Sequence, residues 1–104
     1  MTYQLFLDDE RFPASGEWRI ARSYLEAVAL MEAFGCPSKI SFDHDLGEGP
    51  SGFDVAQWLI ASDLNDPTFI PESFTFTVHS MNPVGARNIQ LLMDRYLVFK
   101  RKGE

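Results

Sequence analysis

Cysteine occurs once in this chain of 104 residues, at Cys36, so no disulfide can form within it and any fold must rest on its own core. Basic side chains are scarce. Nine Lys and Arg stand against 15 Asp and Glu, a formal net charge of −6, which withholds the broad positive field used by duplex binders and argues against extended duplex nucleic acid as a partner. No apolar run nears the ~20 residues of a membrane span. Signal-peptide and lipidation motifs are missing too, and with the lone thiol these absences set the expectation of a cytoplasmic protein with no membrane partner. Histidine is rare, with two in total, which makes the placement of each informative.

What is present suffices for a core. Hydrophobic residues make up 45% of the chain, an ordinary globular share. A chain of this length buries somewhat more than ~60% of its unfolded surface, and one domain over residues 1–104 is expected. Tyr3 to Leu7 is an apolar run that stops at Asp8-Asp9, the pattern of a strand buried on both faces. Trp18 to Arg22 reads as a brief strand after a turn-rich link. Ser23 and Glu26 have capping-box spacing ahead of a helix that Gly35 and Pro37 end. Lys39 to Phe42 is the next strand, and Gly52-Phe53-Asp54 opens a helix carrying Val55, Ala56, Trp58, Leu59 and Ile60. The segment from Asp63 to Ser73 is expected to be irregular, with Asp66-Pro67 and Ile70-Pro71 as punctuation. Phe74 to Val78 is a strand, and Pro83 suits the first position of a last helix. The basic tail Lys100-Arg101-Lys102 reads as a helix C-terminus or a frayed end.

The order β-β-α-β-α-β-α calls for right-handed crossovers and a mostly parallel sheet with helices on both faces, a three-layer α/β fold with expected strand order 2-1-3-4. Ligands of such sheets sit beyond the carboxyl ends of the strands. Three polar clusters fall there: Asp8-Asp9, Asp43-His44-Asp45 and His79-Ser80. Asp8, Asp9 and Asp43, with Asp45 nearby, form an oxygen set suited to Mg²⁺ or Mn²⁺. His44 and His79 are the natural proton carriers near neutral pH, so Asp43, His44 and His79 are the catalytic candidates. Ser80, Asn82 and Arg87 at the start of the last helix, with Arg11 and Arg22, are candidate phosphate ligands. The run Gly47-Glu48-Gly49-Pro50-Ser51-Gly52 lacks the ending of a nucleotide-binding loop and reads as a flap or a connection. Cys36 has no activating neighbour in sequence and is given no role.

Leu7-Asp8-Asp9-Glu10-Arg11 resembles the acidic pair after the first strand of response-regulator receiver domains, and Asp43 their phosphate-accepting aspartate. The ordinary receiver pattern also includes a first full helix, a fifth strand and a lysine at a further strand end, none of which is evident here. Taken with Phe-Asp-His-Asp-Leu-Gly at Phe42 to Gly47, Gly-Phe-Asp-Val-Ala at Gly52 to Ala56, and Val-His-Ser-Met-Asn-Pro-Val-Gly-Ala-Arg-Asn-Ile at Val78 to Ile89, the chain is similar to the receiver-like domains proposed to process cyclic phosphates in bacteria and their phages. That resemblance implies a receiver-like (flavodoxin-like) fold and a phosphodiesterase acting on a cyclic nucleotide or an RNA-end 2′,3′-cyclic phosphate, assisted by a divalent metal. The alternatives are a phosphoacceptor module modified at Asp43 and a protein-interaction module without catalysis; a protein partner is not identified by the sequence.

Overall fold

The computed structural model describes residues 2–103. Its elements follow in the order β1 (Gln4–Leu7), β2 (Arg19–Ala21), α1 (Tyr24–Phe34), β3 (Lys39–Phe42), α2 (Gly52–Asn65), β4 (Thr75–Val78) and α3 (Pro83–Lys102). All strand pairs are parallel, in the order β2-β1-β3-β4. This is a receiver-like α/β fold with the expected strand order. No described helix is long and apolar enough to cross a membrane.

Local chemistry sets the element ends. Ser23 Oγ accepts the Glu26 amide at the start of α1, and Glu26 reaches back to the amide of Arg22, one residue before the cap. Gly35 ends that helix at φ 84°, a conformation that favours glycine. The Asp54 carboxylate accepts from the amide and the hydroxyl of Ser51 at the start of α2. Asn82 Oδ1 accepts the Gly85 amide, with Pro83 as the first residue of α3.

The expectation of helices on both faces is corrected by the packing. Leu5, Leu7, Ala21, Ile40 and Phe42 share one face of the sheet and form a single core with residues of α1 (Ala27, Met31), α2 (Val55, Ala56, Leu59) and α3 (Ile89, Met93). The other face carries Gln4, Phe6, Lys39, Ser41, Thr75 and Thr77, none of them in that core. The cause is direction. The crossovers β2-α1-β3 and β3-α2-β4 both advance toward β4, and right-handed connections advancing the same way place their helices on the same face. The link that turns back, from β1 to β2, would put a helix on the opposite face, but it contains Pro13 and Gly16 and forms none. Trp18 from that link covers Phe6 edge-on instead, with ring centres 5.9 Å apart.

A second correction lies at the far end of the molecule. Asp63, expected in an irregular segment, sits in the last turns of α2 and is 1% exposed. Lys100 donates to both of its oxygens at 2.9 and 2.8 Å, Tyr96 donates its hydroxyl, and the Ile70 amide donates at 2.8 Å. Lys100 is thus neither frayed nor solvated. It ties α3 to α2 and also reaches the carbonyl of Pro67.

Candidate active site at the carboxyl edge of the sheet

The register that aligns Leu7, Phe42 and Val78 across β1, β3 and β4 continues one residue further. The Asp43 amide donates to the Leu7 carbonyl and the His79 amide to the Phe42 carbonyl, each at 2.9 Å. Asp8, Asp43 and His79 therefore occupy equivalent positions, and strand alternation sends their side chains to the same face as Phe6, Ser41 and Thr77. One ligand atom of each lies within 4.8 Å of the others. Asp8 is fully buried and Asp43 is 5% exposed; two carboxylates this close need a cation or a shared proton between them.

Asp8 is the hub. Its Oδ1 accepts the amides of Glu10 (3.0 Å) and Arg11 (2.8 Å), which fixes the turn after β1. Its Oδ2 accepts Nε of Arg11 at 3.0 Å and lies 2.9 Å from Nε2 of His79. Burial works to raise its pKa, but the amides of Arg11 and Glu10, His79 and the Arg11 guanidinium outweigh it and hold the carboxyl below its ordinary value. Arg11 leans across to Asp43, with Nη2 3.7 Å from Oδ2. The backbone of this turn is braced by Arg22, which donates to the carbonyls of Asp8 (3.1 Å) and Arg11 (2.6 Å). Arg22 is occupied there and is no phosphate clamp in this arrangement.

His79 is set by groups that the sequence did not single out. Its ring stacks on Phe6 at 4.5 Å between centres and 6° between planes. Thr77 donates its hydroxyl to Ser41 Oγ at 3.1 Å, and Ser41 Oγ lies 2.7 Å from Nδ1 of His79. With Ser41 donating to Nδ1, the proton of the neutral ring is assigned to Nε2 and points at Asp8. Ser41 can also accept, so the ring can carry its proton on Nδ1 and present a lone pair from Nε2. Two carboxylates and an imidazole of switchable tautomer fit a divalent cation with mixed oxygen and nitrogen preference. The residues present could coordinate such an ion.

The remaining candidates divide. Asp9 and Asp45 are exposed; both line a cleft of ≈430 Å³ with Glu10, Arg11, Asp43 and Met81, but neither belongs to the Asp8–Asp43–His79 group. His44 turns away from it. Its Nδ1 lies 2.9 Å from Asp45 Oδ1, and its ring occupies the space above Gly85, where a β-carbon would overlap it. His44 and Asn82, which donates from Nδ2 at 3.4 Å, lower the pKa of Asp45. Asn82 serves mainly as the cap of α3, and Ser80 Oγ accepts the Asn82 amide at 3.1 Å. Arg87 is exposed on α3 and makes no hydrogen bond or ion pair among the described residues. Gly52 is needed at its position because a β-carbon would overlap the carbonyl of Asp43.

Comparison with known proteins adds to this geometry. No curated protein matches the chain. A solved structure described as the yeast Spc42 trimeric coiled-coil segment, amino acids 181–211, fused to another structure is similar at 17% identity and a TM-score of 0.56, over 96% of this chain and 81% of that one. That identity speaks to the fold alone. Residues 3–95 match the family model described as the cyclic-phosphate processing receiver domain. All three members of the Asp8–Asp43–His79 group fall inside that span, and the chain belongs to the cyclic-phosphate processing receiver domain family.

Proposed function

We propose that the protein hydrolyses a cyclic phosphodiester, most concretely a nucleoside 2′,3′-cyclic phosphate or the same group at an RNA end. The observation that carries this reading is the double anchoring of His79, between Ser41 at Nδ1 and Asp8 at Nε2, beside Asp43. An imidazole held by a carboxylate and a hydroxyl is a positioned proton carrier. Hydrolysis opens the ring by forming a bond from water oxygen to phosphorus and breaking one ester P–O bond; the attacking water releases a proton to solvent, and the departing ribose oxygen takes one up. His79 in its doubly protonated form supplies that proton from Nε2 and is left neutral, its Nδ1–H donating to Ser41 Oγ meanwhile. Asp8 and Asp43 would hold a divalent cation, with Mg²⁺ or Mn²⁺ favoured, which leaves Nε2 of His79 to the proton. Such an ion would polarise the phosphoryl group and acidify bound water. Arg11 and Ser80 would bind the non-bridging oxygens. His44, engaged by Asp45 and packed on Gly85, is left out of the proton transfer.

The test follows 2′,3′- and 3′,5′-cyclic nucleotides by phosphorus NMR with Mg²⁺, Mn²⁺ and Zn²⁺ in turn. Conversion of the 2′,3′ isomers is expected. It should fall by at least ~10²-fold in His79→Ala, while His44→Ala keeps most of it. Equal turnover in wild type and His79→Ala would remove the proposed role.

A further inference from the structure

Arg11, together with His79, occupies the Asp8 oxygen that a cation needs. Both contacts of Asp8 Oδ1 are with backbone amides of its own turn, which leaves Oδ2 as the ligand atom. Arg11 Nε holds that atom at 3.0 Å and Nη2 reaches toward Asp43 Oδ2 at 3.7 Å. A cation shared by Asp8 and Asp43 and the guanidinium in this position exclude each other. Resting on the reading above, we infer that Arg11 is an exchangeable counter-ion: it neutralises the carboxylates while no cation is bound and transfers to the phosphate when one enters.

Three observations support the exchange. The Arg11 side chain is 43% exposed, so it can swing outward without disturbing the core. The backbone of its turn does not have to follow, because the Asp8 contacts to the amides of Glu10 and Arg11 and the Arg22 contacts to two carbonyls are independent of the guanidinium. The cleft that the group would move along is already open, lined by Asp9, Glu10, Asp43, Asp45 and Met81 with Arg11 itself. Charge is the driving term. Two carboxylates with one guanidinium leave one unit of negative charge, which repels a phosphodiester monoanion. Adding a divalent cation turns that into one unit of positive charge, and the displaced guanidinium then finds its best partner in the bidentate phosphate geometry. Cation and phosphate binding therefore reinforce each other, and by linkage each raises the affinity for the other by the same factor.

The experiment measures Mn²⁺ binding to the full chain by loss of the free-ion electron paramagnetic resonance signal, with and without inorganic phosphate, for wild type and Arg11→Gln. Exchange predicts that Arg11→Gln binds Mn²⁺ more tightly than wild type without phosphate, by at least ~3-fold, because a competitor for Asp8 Oδ2 is gone. It also predicts that phosphate tightens Mn²⁺ less in the variant than in wild type. Damage to the site would lower Mn²⁺ affinity, so the sign separates exchange from disruption. Equal or weaker Mn²⁺ binding by Arg11→Gln overturns the exchange and leaves the hydrolase reading standing. Absence of Mn²⁺ binding in both proteins removes the cation from that reading, and the exchange with it.

Discussion

The imidazole of His79 is held at three points, by Ser41, Asp8 and the ring of Phe6, and each can be removed singly. Ser41→Ala leaves Nδ1 without its partner in the strand below. Turnover should drop by ~10- to 100-fold, the usual cost of losing a group that orients a reacting histidine. Nitrogen NMR shifts of the His79 ring should change from one tautomer to a mixture; an unchanged pattern would show that Ser41 does not set the ring. Residues of this kind are hard to read from sequence. The acids and histidines announce themselves by following apolar runs, whereas Ser41 sits in the middle of one. Its role depends on Thr77 and His79, 36 and 38 residues away, meeting it across the sheet. His44 illustrates the converse. It stands beside Asp43 in sequence, but alternation turns it to the opposite side, onto Gly85.

Elements are joined at both ends of the fold by single polar or close contacts, and these carry predictions of their own. Lys100→Met removes one partner of a buried ion pair between α2 and α3 and leaves Asp63 uncompensated. A loss of ~3–5 kcal/mol is expected in urea unfolding. Asp63 is itself opposed in its ionisation by burial, but Lys100, Tyr96 and the Ile70 amide outweigh this and depress its pKa. Asp8 is depressed as well. A carboxyl whose folded pKa lies below its unfolded value of ~3.9 binds more protons when unfolded. Stability from both groups is therefore complete above that value and disappears as pH falls through their folded pKa values. Urea midpoints should decline in acid, and more shallowly in Asp63→Asn. Gly85→Ala pushes a methyl into the His44 ring and should cost ~1–3 kcal/mol by overpacking. Strand ends and caps were legible locally, through Ser23, Asn82 and Pro83. The Asp63–Lys100 tie was not, since 37 residues separate its partners and each alone looks like a surface charge.

Across the whole molecule the parallel order 2-1-3-4 follows from alternating strands and helices, but the count of layers does not. It depends on which way each crossover runs, and both helical crossovers run toward β4. A cation held by Asp8 and Asp43 at the strand ends would couple to global stability. At a Mn²⁺ concentration of ~100 times its dissociation constant, binding to the native state alone adds ~2.7 kcal/mol. That corresponds to a rise in Tm of roughly 10 °C or more for a chain of this size. Asp43→Asn should abolish the rise in a thermal scan, and a rise that survives the substitution would place the ion elsewhere. The face left bare of helices has a practical consequence. Trp18 meets Phe6 edge-on, and Phe6 lies flat against His79, whereas Trp58 is packed beside Phe69 on the helical side. One of the two indoles is therefore a single ring removed from the imidazole, and its emission is a built-in gauge of what happens there, readable in real time without a label.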